Sequence, residues 1–185
     1  MEQEMEHGMP TLHRFVTDHN DEGKAIFHSG VDEKLPWHSV GGDARFYLGY
    51  ATSQTPVDLN NDADIKTYKH YQENQPGIVI PGGTVLRIVD SPPGALSPMH
   101  RTVSLDYGVV LEGEFELILD SGEVRTMRRG DTAIQRGTIH AWRNTSKTAW
   151  GRMLYVLQES KPVEISGKKL GEDYGNMQGV PPSGN

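Results

Sequence analysis

The chain has 185 residues, enough for one domain around a single core, and its 25 Asp and Glu against 18 Lys and Arg give a formal net charge of −7. The acidic balance and the lack of a basic run argue against nucleic acid as a partner, and no apolar run approaches the ~18 residues of a membrane span. Cysteine is absent, which excludes disulfides and thiolate ligands.

The opening MEQEMEHGMP is acidic and polar, unlike a secretory signal or an Arg-rich transit peptide, so a cytoplasmic protein is expected. Residues 1–12 and 166–185 hold too few apolar groups for structure of their own and are expected to drape or move. HRFVTDHNDEGKAIFHS predicts two short extended runs around a turn at Asn20–Gly23, and the aromatic-rich stretch 44–53 predicts a strand. One helix is predicted over 61–74. Asn60 or Asn61 would cap it, and Ile65, Tyr68 and His70 would form its apolar stripe.

Beyond Gly82, residues 84–89 predict a strand stopped by Ser91-Pro92-Pro93-Gly94. Phe115, Leu117 and Leu119 share one face by the period of two, and Asp120-Ser121-Gly122-Glu123 makes a hairpin turn. Residues 132–135, 140–144 and 149–157 continue as short strands at intervals of ~8–12 residues, the pattern of a sandwich or barrel. The expected fold class is therefore all-β. The expected division is an N-terminal extension (1–75) packing on a barrel core (76–160), then a C-terminal tail (161–185), one structural domain overall.

Two segments carry candidate chemistry. His100 and Thr102 lie on the same face of an extended chain, ~6.6 Å apart at the Cα level, and Asp106 follows at even spacing. His140, Trp142 and Asn144 form a second same-face set past the Arg136-Gly137 turn. If the segments are neighbours in a barrel, two imidazoles and one carboxylate converge, a donor set that suits Fe, Mn, Ni or Zn with open positions. The alternative is a pair of hydrogen-bonded core histidines and no metal.

Trp142 would make a flat wall for a planar ligand. Tyr107, beside Asp106, is a candidate substrate contact, although strand alternation turns it the other way. Arg152 shares a face with Trp150, Leu154 and Val156; if that face is inward, it needs a carboxylate from the protein or the substrate. Arg101 and Arg143 should point to solvent, and Arg136 to the rim. His7, His13, His19, His28 and His38 show no repeated ligand spacing. Pro36-Trp37-His38 is a candidate for closing a barrel mouth.

Gly94, His100, Thr102, Asp106 and Gly113 resemble the first cupin motif, G-x5-H-x-H-x3-4-E-x6-G, at every spacing, with Thr for the second His and Asp for the Glu. Gly130, Gly137, His140 and Asn144 resemble the second, G-x5-P-x-G-x2-H-x3-N, one residue shorter and with Arg136 where proline is expected. HRTVSLDYGVVLEGE and QRGTIHAWRN are similar to a subgroup of small single-domain cupins from bacteria and fungi, which in fungi sits among natural-product pathways.

The resemblance implies a jelly-roll barrel with His100, Asp106 and His140 as catalytic residues and, if a metal binds, its ligands. Thr102, Trp142, Arg152 and Tyr107 would contact substrate. Thr102 departs from the pattern, because a hydroxyl is a poor ligand for these ions. The expected function is a lyase or isomerase of the dehydratase or decarboxylase type, acting on an oxygenated natural-product intermediate. An Fe(II)-dependent dioxygenase and a non-catalytic ligand-binding cupin are the alternatives. A small-molecule substrate is the expected partner. A homodimer through sheet edges or N-terminal strands is expected by analogy, with 14–29 covering an edge.

Overall fold

Apolar and polar side chains that alternate, interrupted every few residues by glycine or proline, bury a core only when sheets fold over one another. A computed structural model describes residues 5–41 and 43–183. Two short hairpins come first, β1 (Met5–Glu6) with β2 (Met9–Pro10) and β3 (Thr17–His19) with β4 (Ala25–Phe27). They are followed by β5 (Trp37–Val40), β6 (Ala44–Ala51) and the helix α1 (Ala63–Glu73). The barrel region holds β7 (Thr84–Ser91), β8 (Ser104–Glu112), β9 (Glu114–Leu119), β10 (Val124–Arg128), β11 (Thr132–Arg136), β12 (His140–Asn144) and β13 (Gly151–Glu159). A last hairpin joins β14 (Glu164–Ile165) to β15 (Lys168–Lys169).

A six-stranded antiparallel sheet in the order β11-β8-β13-β7-β6-β5 faces a three-stranded one, β10-β9-β12. The N-terminal segment thus supplies two strands of the main sheet. Register fixes what faces inward. Gln135, Asp106, Leu157, Val85 and Ala51 align in one row across the sheet. Ala133, Gly108, Tyr155, Arg87 and Leu48 align in the next row on the same face. Between the sheets, Val110, Phe115, Met127, Trp142 and Met153 form one apolar cluster. A second gathers Leu48, Ala51, Val85 and Leu157 with Ile65 and Tyr68 of α1.

The Asn20–Gly23 turn and the Asp120–Glu123 hairpin stand where the sequence puts them. The helix differs in detail. A 3-10 turn over Asn60–Asp62 precedes it, Asp62 occupies the N-cap without a side-chain cap bond, and the Asn60 amide is held by Asp58 instead. His70 is exposed, because two residues from Tyr68 is roughly 200° around the helix. Half-buried Tyr71 continues the stripe instead. The hydroxyl of fully buried Tyr68 donates to the Leu48 carbonyl at 2.8 Å, so its polar tip is satisfied.

The tail is placed rather than loose. The backbones of Arg101 and Asp173 exchange hydrogen bonds of 2.6 and 2.9 Å, and Tyr174, Met177 and Val180 pack on the helix-side core. Three separate apolar residues are too few to form a core, but enough to cover one that exists. No helix among the described residues is long and apolar enough to cross a membrane.

Candidate active site

His100 and His140 face each other as an isolated antiparallel bridge, their backbones exchanging hydrogen bonds of 2.9 and 3.0 Å. The pairing puts both side chains on one face, with ring centroids 4.4 Å apart. Each ring is oriented in the same way: Nδ1 lies 2.9 Å from the carbonyl two residues earlier, Pro98 for His100 and Thr138 for His140. A carbonyl only accepts, so Nδ1 carries the proton and each Nε2 keeps a lone pair. Neither Nε2 has a hydrogen-bond partner among the described residues. Burial and the neighbouring His100 push the His140 pKa down to about 4, and burial lowers His100 as well. Both rings are therefore neutral near pH 7.

Asp106 is buried on the same inner face, and its Oδ2 accepts from the Thr102 hydroxyl at 3.2 Å. Thr102 in turn accepts from Ser104 at 2.7 Å. Burial pushes the Asp106 carboxyl up to about 6, against the lowering pull of Ser104 and Thr102. Its Oδ1 has no partner, and neither has the Nε2 of Gln135, the residue opposite it in register. All these groups except Thr138, Ser104 and Gln135 line a cavity of 170 Å³, together with Trp142, Tyr155, Phe46 and Arg87. Trp142 stands edge-on to both His140 and Tyr155, with centroids 6.0 and 5.8 Å away.

The cupin-domain family pattern matches residues 87–157, which contain every one of these groups except Phe46. Phomopsin biosynthesis cluster protein D of Diaporthe leptostromiformis is 54% identical over 95% of this chain and 93% of its own length. The chain is a cupin. Oryzines biosynthesis cluster protein J of Aspergillus oryzae is 44% identical over 94% of this cupin and 97% of its own length. The cupin-domain-containing oxidoreductase virC of Hypocrea virens is also 44% identical, over 86% and 81%.

In this cupin the donors that a divalent metal would take are the two Nε2 lone pairs and the unpartnered Asp106 Oδ1, with the hydroxyl of Thr102 in place of the second motif histidine. The hydroxyl that replaces the second motif histidine, on Thr102, is committed to Asp106. The only trio of histidine and carboxylate ligand atoms within 4.8 Å of one another, among the described residues, is Asp18, His28 and Asp62. The ligand atoms of His100, Asp106 and His140 are not all within that distance of one another. Asp18, His28 and Asp62 offer no substitute: His28 Nδ1 accepts from the Gly30 N–H at 3.0 Å, so the neutral ring carries its proton on Nε2 and has no lone pair left.

Two expected substrate contacts lie elsewhere. Tyr107 is 43% exposed on the outer face of β8, paired across to Ile134, as alternation requires without a bulge. Arg152 is buried, but its face is the outward one, covered by the N-terminal segment. Its Nε and Nη2 bond the two Asp90 oxygens at 2.5 and 2.7 Å, and Nη1 donates to the Pro10 carbonyl at 2.8 Å. Thr102 and Trp142 do line the cavity. Trp37 and His38 belong to the edge strand β5, and it is the strand's last residue, Val40, with Gly41 and Asp43 beyond it, that borders the cavity. Arg87 is the residue that sequence reading misses. Its signal is parity: in TVLRIVDS it shares the face of Val85 and Val89.

The opposed shifts of Asp106 and His140 have a measurable consequence. The folded pKa of Asp106, about 6, lies above the ordinary 3.8, so as pH falls the folded state takes up this proton first and gains stability between roughly 6 and 4. The folded pKa of His140, about 4, lies below 6.5, so the unfolded chain protonates first and stability falls over much the same interval. Asp106→Asn removes the first effect and keeps the second. Its unfolding free energy, measured by denaturant titration at a series of pH values, is expected to fall more steeply than that of the wild type from pH 6 to 4. Parallel curves would mean that Asp106 does not titrate in this interval.

Proposed function

We propose that this cupin is a small-molecule enzyme that moves protons on a bound organic substrate, in elimination or isomerisation chemistry. The observation that supports it is the imidazole pair, each ring fixed through Nδ1 and each presenting an unpartnered Nε2 in the cavity. Nε2 of His100 or His140 takes the proton from the substrate carbon. Negative charge developing on the substrate raises the affinity of the imidazole for that proton. Asp106, with its pKa near 6, gives a proton to the departing hydroxyl, so that water leaves and a double bond forms. The imidazolium then returns its proton to the Asp106 carboxylate, and the enzyme is restored. In an isomerisation the same Nε2 returns the proton to a different carbon, and nothing leaves.

A second reading is redox chemistry, favoured by the oxidoreductase name of virC and of the 42% identical fogC of Aspergillus ruber. One experiment separates the two. The purified protein is incubated in D2O buffer with a metabolite extract from a host strain lacking the gene, and consumed and formed compounds are paired by mass. A product that differs from the consumed compound only by hydrogen–deuterium exchange, or is lighter by one water, is expected, with deuterium at carbon when the double bond moves. Loss of two hydrogens or gain of oxygen would replace this reading with the redox one, and no consumption with a ligand-binding one.

A further inference from the structure

The strongest unexplained charge in the molecule is Arg87. It sits midway along β7 on the inner face, 4% exposed, with Tyr155 and Leu48 beside it in register and its guanidinium 5.4 Å from the Phe46 ring centre. A guanidinium offers five N–H donors. Here one is used, Nη2 to the Gly77 carbonyl at 3.2 Å, while Nε is buried without a partner. Burial pulls its pKa down only to about 10, so it stays charged at neutral pH.

A buried guanidinium is ordinarily paired, because desolvation without a counter-charge is costly. The same two strands show the ordinary solution three rows away, where Arg152 is gripped by both oxygens of Asp90 on the outward face. Arg87 has no carboxylate partner among the described residues. The cavity it lines holds two neutral imidazoles, Asp106 and, at its border, the exposed Asp43; Asp106 is held by Thr102, and neither carboxylate bonds Arg87. An anion entering the cavity would supply the missing partner.

We propose that this anion is the substrate's own carboxylate, held by Arg87, so that the substrate class is a small, flat, unsaturated carboxylic acid. The planar fork of a guanidinium matches a carboxylate in two parallel hydrogen bonds, which fixes orientation as well as charge. Phe46 and Trp142 supply flat walls, and Val89 and Leu157 apolar ones. The volume of 170 Å³ is that of a small ring, since a cavity of ~150 Å³ holds benzene. A carboxylate fixed at Arg87 leaves the carbon skeleton to extend toward His100 and His140 in the same cavity. The inference rests on that cavity being the substrate site, but it does not depend on which reaction occurs there.

The test is calorimetric titration with benzoate, trans-cinnamate and sorbate, each beside its primary amide, on the wild type, Arg87→Lys and Arg87→Met. The carboxylates are expected to bind about 10- to 100-fold more tightly than their amides, the range that charge-assisted hydrogen bonds span. Arg87→Met is expected to erase that preference and Arg87→Lys to keep part of it. The acid–amide comparison on the wild type needs no variant, so a folding defect in either one leaves the test intact. If no acid is preferred to its amide, or if the preference survives Arg87→Met, the proposal is overturned. Preference through Arg87 without deuterium exchange or elimination in the extract experiment would support this inference while removing the proton-transfer reading.

Discussion

Asp90→Ala is expected to lower the unfolding free energy by about 3–5 kcal/mol, the usual cost of removing one partner from a buried ion pair. Asp90 is fully buried and accepts from Arg152 through both oxygens, from the Tyr47 hydroxyl at 3.1 Å and from His7 at 3.2 Å. Removing it leaves a guanidinium beneath the N-terminal segment with only the Pro10 carbonyl. The loss should appear as a drop in Tm of roughly 6–20 °C, at 2–4 °C per kcal/mol for a chain of this length. Adding Arg152→Met to Asp90→Ala is expected to recover part of it, because most of the cost is the stranded charge and not the lost attraction. A single variant within 1 °C or so of the wild type would show that Arg152 reaches water once its partner is gone.

The same pair shows where sequence reading stops. Parity along β13 puts Arg152 with Leu154 and Val156 and away from Met153 and Leu157, but it does not say which of the two faces is the barrel interior. Both faces are apolar because the N-terminal segment covers the outer one, where Leu35, Tyr47 and Ile88 cluster. A strand buried on both sides loses the alternation that labels inside and outside. Arg87 escapes notice for the same reason, as one charge in a run that looks uniformly buried.

What was legible was local and spaced. The motif glycines mark turns that need positive φ, as at Gly113 (87°) between β8 and β9 and Gly137 (62°) before β12. The first turn ends the strand that carries Asp106, and the second sets the start of the strand that carries His140. The convergence of His100 and His140 depends on a single bridge between segments 40 residues apart in number; parity puts each set on one face but does not say that the segments are neighbours. The tautomers did not follow from spacing, because they are set by the Pro98 and Thr138 carbonyls and thus by the loop geometry before each ring. The commitment of Thr102 to Asp106 was equally hidden: a threonine in a ligand position reads as a missing ligand until its hydroxyl is seen donating to the acid.

His140→Ala is expected to lower kcat by about 10²- to 10⁴-fold on the compound consumed in the extract experiment, the usual span for losing a positioned acid or base. His100→Ala should fall in the same range, and the double variant should lose little more than either single one, because two rings bridged at 4.4 Å act as a unit. Circular dichroism and carboxylate binding serve as controls for folding and site integrity. The pH profile carries the sharper test. In the free enzyme the imidazole must be neutral, which holds above about 4 for His140, and Asp106 must be protonated, which holds below about 6. The plot of kcat/KM against pH is therefore expected to be a bell between those limits, with an alkaline limb that approaches about tenfold loss per pH unit above about 6. Asp106→Asn, which has no proton to give up, should lose the alkaline limb along with most of the rate. A bell whose alkaline limb persists in Asp106→Asn would take the acid role away from Asp106 and leave the histidine pair to carry both proton transfers.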